Sequence, residues 1–253
     1  MIRLRRGNRI PTVAVVQAFL NDKREAENLI AVDGIFGPET QRAVQEFQQN
    51  QRLKKTGTVE NELWSRLVGK RWQVIDHVDR TDYDSEKHQI LDHEDLEPFG
   101  QTILEQFGMT LGGPGVVRRV AGSARHGKVA LLRFHGHGAP GKMVVASGRR
   151  SAPGSSFSSQ NTPRFDRALQ SLRPIFAGFG SIELHGCRVG RGRAGRILLT
   201  RMANATGVPV TAGRNSQFGG GTSTFHFEGP TRTIAPGSQS LKQWARAACQ
   251  ACF

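Results

Sequence analysis

The sequence predicts two folded parts: a small all-α three-helix domain, followed by an α/β domain with a mostly parallel sheet sandwiched by helices. Three observations carry this reading. The first seventy residues place apolar side chains at helical spacing. The later part alternates short apolar runs with helical stripes, the pattern that builds parallel sheets. Charge changes sign between them: residues 1–70 hold 12 basic and 8 acidic side chains, residues 71–110 hold 3 and 10, and residues 111–253 hold 20 and 3. The expected boundaries are therefore a head at 1–69, an acidic connector at 70–97 and a basic α/β body at 98–253.

With 253 residues, 37% of them hydrophobic and 14 of them Phe, the chain can bury a substantial core. No apolar run reaches the ~18 residues of a membrane span. Met1-Ile-Arg-Leu-Arg-Arg6 has no apolar stretch behind it, so a Sec signal is not expected. Three cysteines are too few for a disulfide scaffold. The net charge of +14 attracts polyanions. The arginines are scattered singly with few aromatics between them, which does not make a stacking platform, so nucleic acid is not an expected partner.

In the head, Val13, Val15, Val16, Phe19 and Leu20 mark a first helix, and a second runs from Thr40 to Gln51. Asp33-Gly34 and Gly37-Pro38 supply turn chemistry between them. A third helix, Glu60 to Leu67, carries Leu63, Trp64 and Leu67 inward. Leu4-Arg-Arg-Gly7, Val16-Gln17, Leu20-Asn21, Val32-Asp-Gly-Ile-Phe-Gly-Pro-Glu-Thr40, Ala43-Val44, Phe47-Gln48 and Gly57 with Leu63-Trp64 follow in order. With these residues the stretch resembles the type-1 peptidoglycan-binding domain. The resemblance implies docking onto cell-wall glycan or stem peptide, with Asp33, Gly34, Phe36, Gly37 and Thr40 as the binding motif. It departs from the pattern at Thr56, where the family has Asp before Gly57.

The connector holds a strand-like Trp72-Gln-Val-Ile75, then carboxylates interspersed with His77, His88 and His93, a composition that could bind a cation but matches no EF-hand loop. In the body, Phe99–Met109 reads as a helix leading through Gly112-Gly-Pro-Gly115 to Val116–Val120. Lys128–Phe134 is a buried strand that ends at His135-Gly-His-Gly-Ala-Pro-Gly141. A Ser/Gly-rich loop precedes a helix at Phe165–Phe176, and Ser181–Leu184 is the next strand, ending at His185-Gly-Cys-Arg188. A helix from Ala194 to Ala205 feeds the strand Val208–Ala212. A strand at Thr224–Phe227 and a helix from Leu241 follow.

Chemistry in such sheets sits beyond the carboxyl ends of the strands, where His137 and Cys187 both fall. A thiol needs a nearby imidazole to ionise it or to pass its proton to a leaving amine. Flanking glycines let a substrate backbone approach and can offer N–H groups to an oxyanion. His135, His137, His185 and Cys187 could alternatively hold zinc. Cys249-x-x-Cys252 could be a redox couple, half a zinc site, a disulfide or two plain thiols.

Gly136-His137-Gly138 and Gly186-Cys187-Arg188, each after an apolar strand, resemble the motifs of caspase-like cysteine peptidases, the group of caspases, gingipains and separase. His137-Gly-Ala-Pro-Gly141 and Gly207-Val-Pro-Val-Thr-Ala212 add a likeness to caspase-like domains of unassigned function in large bacterial surface proteins, over roughly residues 115–213. The resemblance implies a cysteine endopeptidase without a cofactor. Cys187 is then the nucleophile, His137 the acid/base, and the amides around Gly138, Gly186 and Cys187 the oxyanion donors. His135 and His185 support from behind, and Arg188 or Arg214 pairs with an acidic substrate residue. The expected partners are peptidoglycan and a protein or peptide substrate. The expected setting is the bacterial cell envelope, reached from the cytoplasm by non-Sec export or lysis. A catalytically inactive binding protein at the wall is the alternative reading.

Overall fold

Every residue of Val129–His135 is buried, which only a strand inside a sheet covered on both faces achieves. In the computed structural model of the chain it is β3 of a six-stranded sheet. The structure describes residues 3–67, 72–79, 102–106, 112–146, 154–160, 163–217 and 227–250. Two compact units result, Gln73–Ser238 as one and Met1–Trp72 with Gln239–Phe253 as the other.

The larger unit is the α/β body. Its strands are β1 (Gln73–Asp79), β2 (Thr102–Gln106), β3, β7 (Phe176–His185), β8 (Val210–Gly213) and β9 (Thr231–Ile234), in the spatial order β2-β1-β3-β7-β8-β9. All neighbours run parallel except β8 and β9. Three short strands, β4 (Gly138–Ala139), β5 (Lys142–Val144) and β6 (Ser156–Ser158), form a separate antiparallel sheet. Strand order reverses between β1 and β3, so the topological switch point of the sheet lies at the carboxyl ends of these strands, Asp79 and His135.

One face of the large sheet is apolar. Ile75, Leu132, Phe134, Ile182, Leu184 and Val210 form a core with Val116, Val117 and Val120, with Phe165 and Leu169, and with Leu198, Leu199 and Met202. The second of these groups lies on Gly112–Ser123, the third on Pro163–Gln170 and the last on Gly192–Thr206. In chain order these helices are α4, α5 and α6. The opposite face carries a polar row instead: Asp76, Arg133, Glu183, Thr211 and Thr233 stand in register across five strands.

The smaller unit contains α1 (Pro11–Asp22), α2 (Pro38–Asn50) and α3 (Asn61–Leu67). It also contains α7 (Leu241–Gln250), from the far end of the chain. Pro11–Leu20 is buried at ten successive positions, as a helix enclosed on all sides must be. α2 and α3 pack on it, and α7 packs on it as well, burying Trp244, Ala245 and Ala248.

Three expectations are corrected. The stretch 70–97 is not wholly a connector, because Gln73–Asp79 is a strand inside the body's sheet. Leu241–Gln250 belongs with the head and not with the body. Thr102–Gln106 is a strand where a helix was expected, and Gly112–Ser123 is a helix from its first glycine onward. The proposed strand at 224–227 falls largely outside the described residues; the described strand after β8 is Thr231–Ile234.

Candidate functional site: two motif loops over a buried charged row

β3 and β7 run parallel with His135 paired to His185, so the chain leaves both strands at the same height. The two motif loops then touch through their glycines. A Cβ on Gly138 would lie 2.5 Å from Val189 Cγ2 and 2.8 Å from the carbonyl oxygen of Cys187, so only glycine lets the backbones meet here. Gly136 N–H donates to His185 O at 3.3 Å, and Gly141 N–H donates to Val189 O at 3.0 Å, fastening the loops on either side of that contact.

His137 is exposed and Cys187 is partly exposed. The thiol lies in a backbone clasp: Cys187 Sγ–H donates to Gln217 O at 3.4 Å, and Gln217 N–H donates to Sγ at 3.3 Å. Arg188 follows in the left-handed region at φ 57°, which costs a non-glycine residue on the order of 1 kcal/mol. Its N–H donates to Asn215 O at 2.8 Å, holding the turn that presents the thiol.

Beneath the loops, His135 and His185 stack with centroids 4.9 Å apart, and Phe227 stacks on His185 at 4.3 Å. His135 Nε2–H donates to Asp76 Oδ1 at 2.7 Å, and His185 Nε2–H donates to Glu183 Oε2 at 2.9 Å. Arg133 lies between the carboxylates, 3.4 Å from Asp76 Oδ1 and 3.6 Å from Glu183 Oε2. Burial lowers the His135 pKa to about 4 although Asp76 pulls it upward, so at neutral pH the ring is uncharged with its proton on Nε2. Burial alone would raise Asp76, but Arg133 and then His135 outweigh it and hold the carboxyl at about 2. His77, on the apolar face against Phe134, is lowered to about 3 by burial and then by Arg119.

This geometry speaks against the zinc arrangement. The His135 and His185 rings stack face to face, each with Nε2 engaged by its own carboxylate. Among the described residues, no three His, Cys, Asp or Glu side chains are grouped to hold a metal ion. In the former connector His77 is buried inside β1, while His88 and His93 lie outside the described residues. Cys252 and the side chain of Cys249 lie outside them too.

The head's motif residues brace a loop. Buried Gln17 donates through Nε2 to Asp33 Oδ1, Ile35 O and Thr40 Oγ1, and its Oε1 accepts from the amides of Asp33 and Gly34. Phe36 is 1% exposed and Thr40 2%, so these two build the fold and do not face a ligand. The same device recurs at Gln48, which donates to Thr56 Oγ1 and Thr58 O and accepts from Gly57 N–H. Thr56 Oγ1 takes the place of the Asp33 carboxylate, accepting from Thr58 N–H as Asp33 Oδ1 accepts from Ile35 N–H. The departure at Thr56 is therefore a substitution that keeps the turn.

Residues 10–67 match the family model of the peptidoglycan-binding domain. Residues 116–224 match a family described as a domain of unknown function, DUF4347. The first match makes the head a peptidoglycan-binding domain and associates the chain with the cell wall. The second spans both His137 and Cys187 and assigns them no role. A comparison with curated proteins gives no match. Among the described residues no helix is long and apolar enough to cross a membrane.

Sequence reasoning missed Asp76, Arg133, Glu183 and Gln217. The first looked like part of an acidic linker; the others are ordinary residues in strands and loops. Their role comes from register and from the turn after β8, which no local motif encodes.

Proposed function

We propose that the protein is a cysteine endopeptidase held at the cell wall by its head. Cys187 Sγ attacks a peptide carbonyl, forming a carbon–sulfur bond. His137 takes the thiol proton and delivers it to the departing amine, and water then hydrolyses the thioester to release the acid and restore the thiol. The observation that carries the reading is the backbone contact of Gly138 with Gly186–Cys187 at the carboxyl ends of adjacent parallel strands. Val144 N–H donates to His137 O at 2.8 Å, which makes 137/144 a bonded pair. The next pair, Gly138/Met143, then falls in the non-bonded position, turning the Gly138 N–H away from the ladder and leaving it to serve an oxyanion.

The two-way hydrogen bond between Cys187 Sγ and Gln217 favours a second reading, in which the thiol is structural and the body only binds. Alkylation of Cys187 by iodoacetamide, followed by mass spectrometry, separates them. A working pair gives rapid alkylation at neutral pH that slows roughly tenfold or more in His137→Ala. Equal, slow alkylation in both proteins would remove the peptidase reading.

A further inference from the structure

Six arginines surround the loop that presents Cys187. Arg188 follows the thiol, Arg191 precedes α6, Arg193 and Arg196 stand on its first turns, Arg214 follows β8 and Arg232 lies on β9. The first five are exposed. Backbone contacts join their segments into one surface: Arg188 N–H donates to Asn215 O at 2.8 Å and Arg214 N–H donates to Pro230 O at 2.9 Å. The Arg232 guanidinium donates to Gly190 O at 2.8 Å and also to Gly192 O.

None of the six pairs with a carboxylate among the described residues; the body's described arginine ion pairs use Arg133 and Arg201. Burial, then Arg214 and Arg196, push the Arg232 pKa below its usual value, so these cations lie close enough to repel one another. An anionic ligand would relieve that repulsion. Arg193 and Arg196, three apart on a helix, stand ~5–6 Å from each other at Cβ, close to the ~6.6 Å repeat of same-side residues in an extended peptide.

We propose that this surface docks an acidic segment of a polypeptide substrate, its Asp and Glu side chains lying on the arginines while a neighbouring peptide bond reaches Cys187. A polypeptide is favoured over a phosphate polymer because the arginines flank the Cys187 thiol, a nucleophile suited to a peptide carbonyl. The word "substrate" rests on the peptidase reading; the docking does not.

The test uses the full chain carrying Cys187→Ala and a fluorescein-labelled hexaglutamate peptide, read by fluorescence anisotropy. Arg196→Glu with Arg214→Glu, both exposed positions, should weaken binding about tenfold or more. Lys54→Glu with Lys55→Glu on the head, the same change in net charge, should alter it less than about twofold. Circular dichroism confirms that both double variants are folded. Absence of hexaglutamate binding, or equal weakening by the two double variants, would overturn the proposal. So would polyphosphate binding at these arginines when hexaglutamate fails to bind. An inert thiol in the alkylation experiment would remove the peptidase and leave this surface standing. A reactive thiol with no hexaglutamate binding would do the opposite.

Discussion

At His135 burial outweighs a carboxylate 2.7 Å away, and the pH response follows. The unfolded chain takes up a proton on each histidine near the ordinary value of 6.5, whereas folded His135 waits until about 4 and His77 until about 3. Stability is therefore full above 6.5 and declines as pH falls toward those values. Asp76, depressed from 3.8 to about 2, extends the decline in the same direction. His135 alone contributes about 3 kcal/mol of loss by the time it protonates. The urea midpoint of the body, followed by hydrogen–deuterium exchange of the β3 segment, should fall steadily from pH 7 to pH 4; a flat profile would contradict buried neutral imidazoles. At this scale the meeting of the His137 and Cys187 loops was legible, because each residue follows a glycine just beyond an apolar strand run, Gly136 before His137 and Gly186 before Cys187. Asp76 was not: Asp76-His-Val-Asp79 has the composition of a solvated linker, and only pairing with Arg133 and His135 reveals a strand.

Helix α6 meets the thiol loop backbone to backbone. A Cβ at Gly195 would collide with the Gly190 carbonyl carbon and lie 2.7 Å from the oxygens of Gly190 and Val189, so helix and loop cannot separate to admit one without moving Cys187. Gly195→Ala should cost about 1–3 kcal/mol through this overpacking, against the usual gain from alanine in a helix. Thermal unfolding measures the first effect; iodoacetamide trapping measures displacement of the thiol. A variant as stable as wild type would mean that the loop yields freely. Helix α6 was legible because Leu198, Leu199 and Met202 repeat at its period and Gly207 ends it. Strand β2 was not. A five-residue strand in the run Phe99–Met109 shows too few periods to tell one repeat from another, and its identity comes from pairing with β1.

Across the whole molecule, the chain leaves the head after Trp72, builds the body, and returns to the head with α7. The division into head and body was legible from charge and periodicity, but the return was not: Leu241–Gln250 is an amphipathic helix that would suit either unit. The architecture predicts that a fragment of residues 73–253 strands α7 without α1. Trp244 is the only tryptophan in that fragment, so its emission should shift to the red and become open to acrylamide quenching, whereas in the full chain it is 4% exposed. Unchanged Trp244 shielding in the fragment would show that α7 does not depend on the head. Closing α1 onto α7 also spans most of the sequence, the kind of distant contact that slows folding. On the ribosome, then, the head emerges ahead of the body yet is finished after it: the wall-binding module waits with one side of α1 open until the body has been translated, so a chain that stalls within the body carries an unfinished anchor.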